Sequence, residues 1–219
     1  MNRSLSAKRG CAKPISYAFI DSQNLNLGVR GQGWIINYVR FRKYLLDKYN
    51  VQKAYMFIGF VPENAQLYNS LQSAGFVCIF KPTLRYSDGH VKGNCDAELV
   101  LQTMIDLGDY DKAIIVSGDG DFQCLAKYLH EIDKLGALLI PDKKQFSALL
   151  KFDFLKPYHR FISDLRTKIE YEKKKSPRKD EHLKGTFSIG DKASLAKNQQ
   201  QVKNAGADRH RKAKLKGGK

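Results

Sequence analysis

Five short apolar runs, separated by stretches of helical periodicity, constrain this chain more than any other feature. The runs fall at 17–21, 54–58, 76–80, 112–117 and 137–140. Apolar spacing at three and four residues predicts helices at 38–49, 63–74, 96–107 and 122–134, with one more at 162–173 that starts near Ser163. Strands that are apolar throughout, alternating with helices of about 10–15 residues, imply right-handed βαβ units. The expected fold class is therefore α/β, with a mainly parallel sheet of about five strands covered by helices on both faces. Gly75 and Gly136 each precede a strand, where a helix C-cap glycine falls.

Charge is distributed unevenly along the 219 residues. The formal net charge is +16. Residues 171–219 carry 15 basic and 5 acidic side chains, and residues 1–16 carry four basic and no acidic ones. The middle, from 17 to 170, is nearly balanced. This divides the chain into a basic N-terminal arm (1–16), a folded domain (17–170) and a basic, largely disordered tail (171–219), whose later part holds hardly any aromatic residues. Basic arms on a near-neutral domain suit a polyanion partner, most often nucleic acid. A tail that only keeps the protein soluble is the plainer alternative.

Several classes are disfavoured. No run approaches the roughly 18–20 consecutive apolar residues of a membrane span. The basic start of the chain has no apolar segment after it, so a secretory leader is not expected. The four cysteines form no Cys-x-x-Cys pair, which argues against a zinc site or disulfide framework and for a reducing, cytoplasmic setting. Cys78 and Cys124 lie in apolar surroundings and read as small core residues. None of the five histidines has triad or metal-ligand spacing.

The acidic residues are placed more tellingly. Asp21 ends the first strand, Asp119 and Asp121 follow the fourth, and Asp96 opens the third of the helices. Ligands of open α/β sheets bind outside the carboxyl ends of the strands, where strand order reverses. If the first and fourth strands are neighbours, all four carboxylates meet at one edge and repel one another. A divalent cation relieves that repulsion, and oxygen-only ligation favours Mg²⁺ or Mn²⁺ over zinc. Each acid also has a plain structural role open to it: Asp21 as a turn cap, Asp96 as a first-turn helix acid, Asp121 as an N-cap. Asn24 either bonds within its own loop or fixes Asp21 and a water. Ser117 and Gly118, a small residue and a glycine, permit a tight turn that exposes Asp119. Arg85 and Lys92, with Tyr86 and the hairpin-turn pair Asp88-Gly89, form a loop just before Asp96 that is suited to phosphate and base contact. The segment 39–46 reads as helical scaffolding with a charged outer face.

The strings Phe19-Ile20-Asp21-Ser22-Gln23-Asn24-Leu25, Lys92-Gly93-Asn94-Cys95-Asp96 and Ser117-Gly118-Asp119-Gly120-Asp121-Phe122 resemble the three signature blocks of the NYN domain family, a PIN-like group that includes LabA-type proteins. The resemblance spans about 17 to 141. It implies a PIN-like Rossmannoid fold of three α/β/α layers and a divalent-metal-dependent ribonuclease acting on RNA, with single strands favoured. Carried over by position, Asp21, Asp96, Asp119 and Asp121 match the acidic metal-binding residues and Asn24 the polar residue after the first. Asp21, Asp96 and Asp119 are expected to hold the metal, Asp121 to complete the shell and Asn24 to position water. Arg85, Lys92 and Ser117 are expected on the substrate. Family members often carry a further acid where this chain has Gln102, and Glu98 points elsewhere on the helix. A non-catalytic RNA-binding or regulatory protein on the same fold is the main alternative. A small-molecule phosphohydrolase is a third, weakened because Ser22 and Gln23 follow Asp21 where an aspartyl-phosphate enzyme needs Asp-x-Asp.

Overall fold

A computed structural model of the chain describes residues 13–82, 84–85, 91–92 and 95–172. The two arms therefore lie outside the described residues, apart from their innermost few positions, as does the expected Asp88-Gly89 turn.

Six strands form one parallel sheet: β1 (Ser16–Asp21), β2 (Val51–Phe60), β3 (Val77–Pro82), β6 (Lys112–Val116), β7 (Leu135–Ile140) and β8 (His159–Phe161), in the order β3-β2-β1-β6-β7-β8. All five expected strands are present. The sixth, β8, is an addition to the sequence expectation: three residues, half-buried or exposed, carry too little apolar signal to mark a strand. A two-stranded antiparallel ribbon, β4 (Leu84–Arg85) and β5 (Val91–Lys92), joins β3 to the helix that starts at Asp96.

The helices divide between the two faces. On one lie α1 (Ser22–Arg30), α2 (Tyr38–Tyr49), α3 (Ala65–Ser73) and α6 (Arg166–Ile169), which close over Ala18, Ile20, Met56, Ile58, Ile114 and Val116. On the other lie α4 (Asp96–Ile105) and α5 (Gln123–Glu131), over Tyr17, Phe19, Tyr55, Phe57, Ala113 and Ile115. Alternation along each strand supplies the two cores, so β1 is buried from Ser16 to Ile20 on both sides. Among the described residues no helix is long and apolar enough to cross a membrane.

Three local expectations are corrected. The segment 162–173 is a 3-10 turn (Ile162–Leu165) and one turn of α-helix, after which Glu170 bridges to Ile36. Gly75 does follow α3 in the left-handed region (φ 90°), but Gly136 caps nothing. Asp133 (φ 55°) takes the left-handed position after α5, a conformation Asp tolerates. Gly136 lies inside β7 at a register shift, where Leu135 pairs with Ala113 and Ala137 with Ile114. A β-carbon there would meet the Ala113 carbonyl oxygen at 3.2 Å. Cys124 is exposed rather than part of the core, while Cys78 packs partly buried against the α2–α3 side.

Gly28 fixes how closely α1 approaches the loop after β7. A β-carbon at Gly28 would lie 2.6 Å from Cβ of buried Pro141. Gln32 clamps the same contact, its Nε2 donating to the carbonyls of Gly28 (2.7 Å) and Pro141 (3.0 Å). Helix propensity alone favours Gly28→Ala by about 1 kcal/mol, whereas overpacking against a rigid ring costs about 1–3 kcal/mol. The variant should melt a few degrees below the parent; a raised melting temperature would mean that the Pro141 loop yields freely.

Candidate functional site

Chain order along the sheet reverses between β1 and β6: β1 leads outward to β2 and β3, and β6 leads the other way to β7 and β8. The crevice at their carboxyl ends is the switch point at which α/β sheets bind ligands. Register brings the relevant ends level, because Ile20 pairs with Val116. Asp21 and Ser117 therefore emerge side by side, and by alternation both continue the series facing the α4 layer.

Asp21 caps α1, its Oδ1 accepting from the Asn24 amide at 3.0 Å. Helix α1 itself escapes the sequence reading, since only Leu25, Val29 and two small polar residues are buried on it. The Ser117 hydroxyl donates to Asp21 Oδ2 at 3.3 Å and accepts from the Asp119 amide at 3.1 Å. Ser117 is 1% exposed. Its hydroxyl therefore ties the Asp21 carboxylate to the Asp119 backbone. Asn24 reaches across the switch point, with its Oδ1 accepting from the Gly118 amide at 2.8 Å. Gly118 is needed for close approach: a β-carbon there would sit 3.2 Å from Cβ of Phe146.

The capping role expected of Asp121 falls to Asp119, whose Oδ1 accepts from the Asp121 amide at 3.1 Å. Asp121 is thereby left exposed. Asp96 enters from the first turn of α4, at the positive end of the helix dipole. Asp96, Asp119 and Asp121 each offer a carboxylate oxygen, all lying within 4.8 Å of one another. Asp21 stands outside that trio but within its field. Burial first, then the charges of Asp96 and Asp119, push its carboxyl up to about 6, against the opposing bonds from Asn24 and Ser117.

Several other groups are accounted for. Gln102 donates to Asp106 Oδ1 at 3.0 Å, about 9 Å along the helix from Asp96. Glu98 is paired with Lys81 at 2.9 Å. Neither belongs to the trio. Cys95, beside the acids, has its thiol pushed up to about 12 by burial and by Glu98 and Asp21, which removes it as a nucleophile. His130 bonds Tyr158 and His159 bonds the Leu150 carbonyl. Arg85 and Lys92 lie on the β4–β5 ribbon, with Arg85 opposite Val91 and Lys92 opposite Leu84; their side chains, with Tyr86 and His90, lie outside the described residues.

An acidic group thus stands at the switch point of a PIN-like α/β fold. The family model for the NYN domain matches residues 17–154, and the chain belongs to that PIN-like nuclease family. The chain is also similar in fold to the crystal structure of a protein of unknown function from Vibrio parahaemolyticus RIMD 2210633. The TM-score is 0.59 at 22% identity, over 73% of this chain and 97% of that one. No curated protein shows significant similarity to the chain.

The pKa of Asp21 gives a measurable sign. Its folded value, about 6, exceeds the ordinary 3.8. Between these values the folded chain holds a proton that the unfolded chain releases, so stability falls as pH rises through this window and is level above it. The loss is on the order of 3 kcal/mol. In EDTA, Asp21→Asn should match the parent near pH 3.5, lack this fall and be more stable at pH 7. Parallel stability–pH curves for the two proteins would rule out a strained carboxylate at Asp21.

Proposed function

We propose that this chain is a divalent-metal-dependent ribonuclease that cleaves RNA phosphodiester bonds, single strands being favoured. The observation that carries the reading is the convergence of Asp96, Asp119 and Asp121 oxygens within 4.8 Å at the switch point, with Asp21 alongside. Such a donor set, all hard carboxylate oxygen, fits Mg²⁺ or Mn²⁺. Asp96, Asp119 and Asp121 would hold the ion, and the charge of Asp21 adds to its attraction. When bound, such an ion neutralises the cluster, polarises the phosphodiester and makes water a competent nucleophile.

The remaining work falls to the chain. Ser117 and Asn24 keep the ends of β1 and β6 in register, so the carboxylates keep their spacing despite repulsion. We assign Asn24, whose Oδ1 is committed to Gly118, to orienting water or substrate through its remaining amide group. Arg85 and Lys92 are assigned to the phosphates entering from the α4 side, and the basic segments 1–16 and 171–219 to affinity. Gln102 bonds Asp106 and lies about 9 Å along α4 from Asp96, so Asp96, Asp119 and Asp121 would hold the ion without a further acid from that helix.

Asp119→Asn tests the assignment with little cost to the fold, because the amide oxygen can still accept from the Asp121 N–H. Loss of outer-shell partners already lowers metal affinity or activity by about 10–100-fold, so loss of a ligand should reduce Mn²⁺-dependent cleavage of labelled single-stranded RNA by at least that much. The rise in melting temperature on adding Mn²⁺ should shrink with it, while RNA binding in EDTA persists. Wild-type protein that yields no EDTA-sensitive products would turn the reading to a non-catalytic RNA binder. A variant that cleaves at the parental rate would remove Asp119 from the reaction.

A further inference from the structure

The loop that follows β7 is fastened to the acidic loop from the β7 side. The Ser147 amide donates to the Gly118 carbonyl at 3.0 Å. Phe146 lies against Gly118, and a β-carbon on Gly120 would collide with the Ser147 hydroxyl. Residues 146 and 147 are thus immediate neighbours of the segment that presents Asp119 and Asp121.

On this loop stand three exposed lysines. Lys151 Nζ lies 4.9 Å from the centroid of the Phe146 ring, and Lys143 Nζ lies 5.2 Å from that of Phe161. The two rings are 5.9 Å apart, with His159 edge-on to both. His159 is itself fixed by its 2.9 Å bond to the Leu150 carbonyl. Aromatic faces therefore hold two ammonium groups in place without neutralising them. Lys144 has its backbone amide on Asp142, and its ammonium has no acidic partner among the described residues. Among the described residues the bank's one ion pair is Lys143 with Asp164, 4.0 Å apart with both side chains well exposed and worth little in water, while Asp142 on the same loop is bonded to the Lys144 backbone amide.

Electrostatics gives the bank a purpose. Four carboxylates attract a cation but repel a polyanionic strand, so the strand needs fixed positive charge beside the acids. Lys81 reaches α4's first turn but is paired there with Glu98 and unsuited to that. We propose that Lys143, Lys144 and Lys151 form a phosphate-binding bank that seats the single-stranded RNA backbone next to the scissile phosphate on the β7 side. The inference rests on the RNA-cleaving reading above and extends it to the path of the substrate.

The experiment uses the full chain carrying Asp119→Asn, in EDTA, with labelled single-stranded RNA titrated at several salt concentrations. Each phosphate contact contributes about 0.7 to the slope of log K against log salt for a single strand. Lys143→Gln, Lys144→Gln and Lys151→Gln together should make that slope shallower by about 2 and weaken binding. A control of equal charge, Lys43→Gln, Lys48→Gln and Lys53→Gln on α2 and the start of β2, should leave it nearly unchanged. Lys143→Arg with Lys151→Arg keeps charge and ring contact and should keep the parental slope, which separates lost contacts from lost packing. A triple variant with the parental slope, or a control that loses as much, overturns the bank. Cleavage is scored separately, with Mn²⁺ and Asp119 restored. A reduced slope with no cleavage keeps the bank and discards the nuclease, and cleavage with an unchanged slope does the reverse.

Discussion

The bond from the Gly118 amide to Asn24 Oδ1, with the Ser117 hydroxyl set between Asp21 and the Asp119 amide, is what the acidic edge depends on. Four carboxylates in one crevice repel, and without restraint the ends of β1 and β6 would splay. The parallel pairing of Ile20 with Val116 sets the strands level, and these short polar bonds carry that register into the loops beyond. Ser117 can serve because it is small, buried and both donor and acceptor. A buried hydroxyl between two acids is satisfied on both sides, and so adds positional order at little desolvation penalty.

The same bonds make the acids dual in role. Asp21 is the N-cap of α1, and Asp119 accepts the Asp121 amide. Capping and cation attraction are often treated as rival explanations of an aspartate at a helix start. Here one carboxylate oxygen can accept the amide while the charge still contributes to the cluster, so the roles coexist. Burial chiefly raises the pKa of Asp21, and the charges of Asp96 and Asp119 add to it. Asp121, the exposed member, keeps access to solvent.

How much of this was legible in the sequence follows from the range of each signal. β1, β2, β6 and β7 are buried on both faces, so their apolar runs stand out locally, and Asp21, Asp96, Asp119 and Asp121 lie at the boundaries those runs define. Helix α1 was hidden because its buried face includes Ser22 and Asn26, whose polarity breaks the periodicity. β8 was hidden because three residues cannot show a period, and its partner β7 lies some twenty positions away in sequence. Gly136 misled because a glycine before a strand fits both a cap and a bulge. Only the register of Ala113 and Ile114 against β7 separates the two. The bond from Ser117 to Asp21 was hidden because its partners lie 96 positions apart in sequence.

Lys143, Lys144 and Lys151 illustrate the limit most clearly. In sequence they are a common sprinkling of lysines after a strand, and the larger charge excess of the arms draws attention away from them. Their significance comes from three-dimensional facts: a carboxyl-edge loop, a backbone bond to Gly118 and aromatic rings that hold ammonium groups beside it. One clue was available, since a loop leaving a strand adjacent to the switch point must run along the ligand-binding edge. Gly28 closes the argument from the opposite side of the sheet. By admitting Pro141 at the contact distance it sets, and with Gln32 bonding the Pro141 carbonyl, it fixes the origin of the lysine-bearing loop against α1. Helix α1 is in turn capped by Asp21. The acidic residue at the end of β1 and the basic loop after β7 are therefore referenced to one helix, and a shift of α1 would move both sides of the crevice together.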